Sequence, residues 1–243
     1  EVLKLPAEQG PAPDYRNYRY LKASGYPSES AMAYTVATEP GVNAVVYRLT
    51  DERWHSRPPQ SGKKAILYVS HLSSDNELRV EPLVRDLIAK NPETPFYTCD
   101  VRGIGESLPG TSQPDSFHSA YGSDYFYAIH GVMLGRPAVG QRTHDVLQVL
   151  RWLESVGHDE IHLAGLHWGA LPATFAAVLS ENVTQVTLKN ALTSYSAIAE
   201  SESYHWPLST LLPDVLKHFD LPDCYTELGK KRLKQIEPLG AMA

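Results

Sequence analysis

The 243-residue sequence predicts an α/β fold, a mainly parallel sheet covered by helices on both faces. Short runs rich in β-branched and aromatic residues alternate along the chain with segments of helical spacing. The length suits one large domain with a full core, and 42% apolar and 21% charged residues are ordinary for a globular protein. No internal repeat or low-complexity tract points to a solenoid or a disordered chain instead.

The elements follow in order. Residues 1–30 are rich in Pro, Gly, Ser and Tyr and read as an N-terminal arm or linker lying on a surface, with tyrosines as anchors. An ordered irregular arm and an interdomain linker fit equally. Residues 31–243 form the domain. "AMAYTVATEPGVNAVVYRL" holds two alternating runs around Glu39-Pro40-Gly41, a hairpin signal. "KKAILYVSHLSSD" is a strand ending in a polar loop, and "RVEPLVRDLIAK" has helical spacing. "TPFYTCDVRGIGES" is a strand followed by a Gly-rich loop. Val146, Leu147, Val149, Leu150 and Leu153 make a helix stripe, with Gly157 as its stop. "DEIHLAG" is a strand and "GALPATFAAVLSEN" a helix. "VTQVTLKNAL" is a strand, "PLSTLLPDVLKHF" is expected to be helical, and "KRLKQIEP" is a final strand.

Charge and composition exclude several classes of partner. The net charge is −6, with no run of like charges. Nucleic acid and anionic membranes are not expected partners, because both need a basic patch. No apolar stretch approaches the ~20 residues of a membrane span. The chain starts at Glu1 without a signal peptide, which suits a processed protein or a piece of a longer one. Cys99, in an apolar run, is expected to be a buried thiol. With Cys224 it makes only two cysteines, which say little about redox compartment. No cofactor is implied: "RGIGES" lacks the third glycine of a dinucleotide fingerprint.

The chemistry concentrates in Gly165-Leu166-His167-Trp168-Gly169. A strand running straight into a helix needs a very sharp turn. The residue at the tip is forced into a strained conformation with its side chain aimed away from the sheet. Small residues two before and two after let strand and helix pack closely, and Gly165, Gly169 and Ala170 meet that need.

This stretch resembles the nucleophile elbow of the α/β-hydrolase superfamily. "CDVRGIGES" resembles the Asp-x-Arg-Gly-x-Gly-x-Ser loop of acetyl xylan esterases and cephalosporin-C deacetylases, through Asp100, Arg102, Gly103, Gly105 and Ser107. "LGRPAVGQRTHDVLQVLRWL" resembles the helix that precedes the elbow in that group, with Asp145 as its acidic residue. "YHWPLSTLLPDVLKHFDLPD" is similar to a segment of bacterial carbohydrate-esterase-like proteins. The resemblance covers about residues 60–243. It implies an α/β-hydrolase fold truncated at its C-terminal end, and an exported bacterial protein, periplasmic or extracellular. It also implies that the Arg102 loop is structural, with Arg102 bracing a turn against a carboxylate and Asp145 pairing with such an arginine.

Acyl transfer on this fold needs a nucleophile, an acid and a histidine base in that chain order, with two oxyanion donors. The nucleophile position holds His167. The resemblance places the acid near Gly240, which has no carboxylate, while Glu237 precedes Pro238 at the strand end. The base would follow the acid, where the chain stops. His205 and His218 precede that strand and are not expected to act. Trp168 supplies the backbone N–H after the elbow, and the loop at His71 and Leu72 would supply the second oxyanion donor. His71-Leu72 stands where His-Gly is usual. His71 and His167 are expected as buried, hydrogen-bonded neighbours; a third metal ligand is not apparent, and no metal is expected. His158 and His162 have helical metal-ligand spacing, but Gly157 and the following strand break the helix. "AYGSDYFYAIHG" supplies core and surface aromatics or lines a sugar-binding cleft.

Three readings compete. In the first, the chain is a degenerate, non-catalytic domain that packs against another, catalytic domain or chain, or holds a glycan. In the second it is an acetyl esterase completed unconventionally, for instance by a second chain. The third is a binding module unrelated to glycans. The first is preferred.

Overall fold

The computed structural model describes residues 1–6, 10–22, 25–51, 57–58, 62–108 and 122–242. Strands β1 (Tyr15–Lys22), β2 (Ser30–Glu39) and β3 (Val42–Thr50) form an antiparallel meander. Strands β4 (Lys64–Val69), β5 (Phe96–Asp100), β6 (Glu160–Leu166), β7 (Val183–Lys189) and β8 (Lys234–Ile236) run parallel to one another. All eight share one sheet in the order β1-β2-β3-β5-β4-β6-β7-β8, joined where β3 pairs antiparallel with β5. The expected mainly parallel sheet is present, with the hairpin at Pro40-Gly41 feeding its antiparallel part; Gly41 takes the positive φ of +78° that this turn requires.

Both faces are covered. Helices α1 (Ser74–Val80) and α2 (Pro82–Lys90) pack Leu78, Leu83, Val84 and Leu87 on Ile66, Tyr68 and Tyr47. On the other face, α4 (Ala138–Ser155) and α5 (Ala170–Leu179) pack Val146, Val149, Leu153 and Ala173 on Leu67, Val69 and Leu163. From Ala65 onward β4 is buried at every position, because residues pointing either way meet a helix layer. A third apolar cluster lies beyond the parallel strands' carboxyl ends, built from Leu171, Phe175, Leu192, Tyr195, Trp206 and Leu212. Helix α6 (Tyr195–Ala199) starts within it.

Three segments differ from expectation. Residues 15–22, read as part of an irregular arm, form the edge strand β1, whose Tyr15 and Tyr20 pack on the main core. The polar "SSDNELRV" run is helix α1, because Ser73 N-caps it and accepts the N–H of Asn76. Residues 207–219 are not one helix. Pro213 lacks an N–H, Asp214 takes φ of 60°, and only short 3-10 turns form at Leu208–Thr210 and Val215–Lys217. The helix comes later, as α7 (Leu221–Leu228), nucleated by a capping box from Asp220 and Asp223. Of the tyrosine-rich stretch, residues 120–121 lie outside the described residues, and the remainder opens α3 (Gly122–Met133). Among the described residues no helix is long and apolar enough to cross a membrane.

Candidate functional site

Strand β6 ends at Leu166, a single 3-10 turn spans His167–Gly169, and α5 begins at Ala170. His167 takes φ of +48°, a left-handed conformation that costs a non-glycine residue of order 1 kcal/mol or more. The flanking glycines are steric requirements. A Cβ on Gly165 would stand 2.9 Å from the Ala170 Cα and the Gly169 carbonyl oxygen. One on Gly169 would stand 2.5 Å from the carbonyl oxygens of Val69 and Ser70. Asn190 and Glu237, the residues just after β7 and β8, also take positive φ, so three adjacent parallel strands end in strained non-glycine residues.

His167 is packed between rings. Its imidazole stacks on Trp206 at 4.7 Å and 22°, and lies 4.5 Å from the His71 ring. Trp168 meets His71 edge-on at 5.0 Å. The structure thus brings His71 and His167 together, but not as a hydrogen-bonded pair: the Nδ1 atoms of both are buried without a partner. Ring faces, not ring nitrogens, meet across the contact. Among the described residues no group of three His, Cys, Asp or Glu side chains could hold a metal ion.

Burial pulls both histidines down to about 4, and the proximity of His71 adds to the effect on His167. Burial pulls His162 equally low. All three are therefore neutral at pH 7. Their folded pKa values lie below the unfolded value near 6.5, so the unfolded chain binds more protons between pH 6.5 and 4. Stability is expected to fall across that window as pH drops. Buried Asp100, whose carboxyl is raised, works in the opposite direction. Denaturant midpoints measured from pH 7 to pH 4 check the slope, which His167→Phe should flatten.

The loop after β4 turns its donors away from the elbow. The buried Glu77 carboxylate accepts the backbone N–H of His71 at 3.0 Å, of Leu72 at 2.8 Å and of Ser73 at 3.2 Å. It also accepts the Tyr68 hydroxyl at 2.6 Å, and burial together with this carboxylate pushes the Tyr68 phenol far up. A second buried carboxylate, Asp100, ties the neighbouring loops together. It accepts Ser70 Oγ at 2.8 Å, Ser74 N–H at 2.7 Å and Glu106 N–H at 3.0 Å. Gly105 is required there, since a Cβ would fall on the Asp100 carboxylate. Gly103 takes φ of +75° in the same turn, and Ser107 Oγ donates to the Asp100 carbonyl at 2.8 Å.

Arg102 grips Asp145 bidentately, Nε to Oδ2 at 2.8 Å and Nη2 to Oδ1 at 2.5 Å, while its own N–H reaches Oδ2 at 2.9 Å. Glu39 adds a second carboxylate at 2.8 Å. These contacts hold the loop after β5 onto α4 and the hairpin.

No triad assembles around the elbow in the described residues. Gly240 presents a backbone carbonyl that accepts Trp206 Nε1 at 2.9 Å, so the position expected for an acid instead anchors the indole lying on His167. Glu237 is exposed, and its carbonyl accepts the Asn190 side-chain amide at 3.1 Å. His205 and His218 are exposed. His158 and His162 serve separate partners: His158 lies between Gly62 and Tyr97, and His162 faces Thr187 at 2.9 Å. Cys99 is fully buried and Cys224 half-buried, both free thiols.

The elbow sits at the carboxyl end of a strand flanked by parallel neighbours, in a sheet opened by an antiparallel meander and covered on both faces. This is the α/β-hydrolase fold. No family model and no curated protein matches the sequence. Solved structures do match. A Bacteroides fragilis protein assigned as an acetyl xylan esterase superposes with a TM-score of 0.72 at 17% identity, over 98% of this chain. The chain spans 64% of that protein's length. Acetyl xylan esterases from Paenibacillus sp. R4 and Thermoanaerobacterium sp. superpose with TM-scores of 0.52 and 0.51 at 13% and 14% identity. The first pair covers 93% of this chain and 83% of the other, the second 100% and 86%. At these identities the likeness shows the α/β-hydrolase fold.

Two residues of this site escaped the sequence reading. Glu77 had a faint signal, an acidic residue in the first turn after a Ser-Ser cap, which favours a helix N-terminus. Trp206 had none, because it reaches His167 from a loop 39 positions away.

Proposed function

We propose that this chain is a non-catalytic α/β-hydrolase domain of an acetyl xylan esterase-like carbohydrate esterase, packing against a catalytic domain or holding a glycan. One observation carries the reading. The elbow position holds a neutral imidazole, roofed by Trp206, and among the described residues the titratable side chain packed on it is another neutral imidazole, His71. Acyl transfer there needs a nucleophile, a base to take its proton and an acid to orient the base. Among the described residues no carboxylate bonds the His71 ring, and its loop has spent its N–H groups on Glu77 rather than on an oxyanion.

A ligand-holding role has a place in the fold. A cleft of about 470 Å³ opens between α3, the β2–β3 hairpin and the Arg102 loop, lined by Val42, Asn43, Tyr127, His130, Leu134 and Gln141. Such a volume suits a small ligand. Tyr127 offers an aromatic face to a sugar ring, and Asn43 and His130 offer polar edges.

The test has two arms. Purified chain is expected to hydrolyse p-nitrophenyl acetate no faster than buffer; turnover that His167→Ala abolishes would sink the proposal. In thermal shift, an acetylated xylo-oligosaccharide at 100 times its dissociation constant should raise Tm by roughly 5–10 °C, and Tyr127→Ala should remove the shift.

A further inference from the structure

Two guanidiniums, Arg102 and Arg142, line the cleft between α3, the β2–β3 hairpin and the Arg102 loop. Paired arginines in a cleft ordinarily mark an anion site. Here each nitrogen of both already has a protein acceptor. Arg102 spends Nε and Nη2 on Asp145 and donates Nη1 to Gln141 Oε1 at 3.1 Å. Arg142 donates Nε to the Arg102 carbonyl at 3.2 Å, Nη1 to Ser209 Oγ at 3.2 Å and Nη2 to Asp124 Oδ1 at 2.6 Å. Arg136, between the lining residues Leu134 and Ala138, holds both oxygens of Glu39 at 2.7 Å.

The charges cancel. Glu39 also meets Arg102 at 2.8 Å, so Arg102, Arg136 and Arg142 face Asp145, Glu39 and Asp124, three cations against three carboxylates. In this network the buried atom without a partner is Asp124 Oδ2, an acceptor. An incoming carboxylate would meet carboxylates already seated, and like charges brought together oppose binding. The rest of the lining is apolar or bare. Val42 and Ala138 stand beside Gly41, Gly103 and Gly131, and Leu134, 77% exposed, carries the apolar surface to the mouth. Gln141 is engaged at both ends, its Nε2 donating to the Arg136 carbonyl at 2.6 Å.

We propose that this cleft is a neutral-ligand site, which takes an uncharged glycan with an apolar face and rejects glycans bearing uronic acids. The inference rests on the glycan-holding reading of the cleft and names the class of glycan. Its arginines brace the walls and are not offered to the ligand. Asn43 and His130 supply polar edges for a few hydroxyls or ester carbonyls. Further hydroxyls against the apolar lining would be buried without partners, so a sugar with some hydroxyls masked as esters fits better.

The test titrates the whole chain calorimetrically with two acetylated xylotrioses that differ in one glucuronic acid side group. The neutral one should bind at least about tenfold more tightly, with a dissociation constant that moves less than about twofold between roughly 20 and 200 mM salt. Glu39→Gln leaves Arg136 without a carboxylate, and Asp124→Asn does the same to Arg142. Either variant should tighten binding of the acidic ligand about tenfold, in a salt-dependent way, and move the neutral one less than about threefold. Wild-type chain that binds the acidic ligand as tightly as the neutral one overturns this inference and leaves the glycan-holding role standing. Binding of neither ligand sinks that role and the inference with it.

Discussion

Glu77→Ala is expected to destabilise the chain by about 3–4 kcal/mol, a fall in Tm of roughly 10 °C, without creating any esterase activity. The carboxylate holds three consecutive N–H groups of the loop after β4 and the Tyr68 hydroxyl. Each stranded buried donor costs about 1–3 kcal/mol. Leu72 is exposed, so water recovers part of that sum and keeps it below the full total. Glu77→Gln keeps one acceptor oxygen and should recover about half of the loss. Urea or guanidinium midpoints measure both. Freed loop donors should not confer turnover, because the elbow carries His167 in place of a serine and, among the described residues, no oriented base stands beside it. If Glu77→Ala leaves stability unchanged, the loop is held by something other than this carboxylate.

Arg102→Ala should cost more than Asp145→Ala, about 4 kcal/mol against about 3. The difference follows from what each change leaves behind. Asp145 is fully buried, so losing Arg102 leaves a buried carboxylate with no cation. Losing Asp145 leaves Arg102 partly exposed and still paired with Glu39 at 2.8 Å. Arg102→Lys should fall between the wild type and Arg102→Ala, because an ammonium cannot make the two parallel bonds to Asp145. Denaturant unfolding of the three variants and the double variant gives the order and the coupling. A larger loss for Asp145→Ala would mean that the Arg102 backbone N–H it leaves unpaired, not the ion pair, bears the load.

Much of this architecture was legible because it rests on local pattern. The elbow announces itself through two glycines four apart, placed between a strand and a helix, and the structure shows why each must lack a Cβ. Strands β4 and β5 read correctly because both of their faces are buried. Strand β1 was missed because its neighbours in sequence are rich in Pro and Gly, although "YRNYRYLK" has the tyrosines of an edge strand. The expected helix at 207–219 failed at one residue, Pro213, whose missing N–H outweighed the apolar spacing around it. What remained illegible is tertiary. Trp206 reaching His167 and Glu77 folding onto the loop before it both join residues that no periodicity links. Local pattern places residues on elements; it does not say which ring faces which.

The rings packed at His167 offer a physical reason for the proposed lack of catalysis. A nucleophile elbow needs open space above its tip for the acyl group, and here Trp206, tied down by the Gly240 carbonyl, covers that tip. Restoring a hydroxyl would therefore not restore a mechanism. In subtilisin, losing the serine or the histidine alone costs on the order of 10⁶-fold in rate, and with no acid or base set at the elbow among the described residues a new serine should stay near that floor.

The most direct measurement is acetyl-ester hydrolysis by His167→Ser beside the wild-type chain, at equal concentration and with folding checked by circular dichroism. Both should release product at the rate of buffer alone, within a factor of a few. Turnover by His167→Ser roughly 10³-fold above buffer would show that an acid and a base do reach the elbow, and that only the nucleophile has been lost.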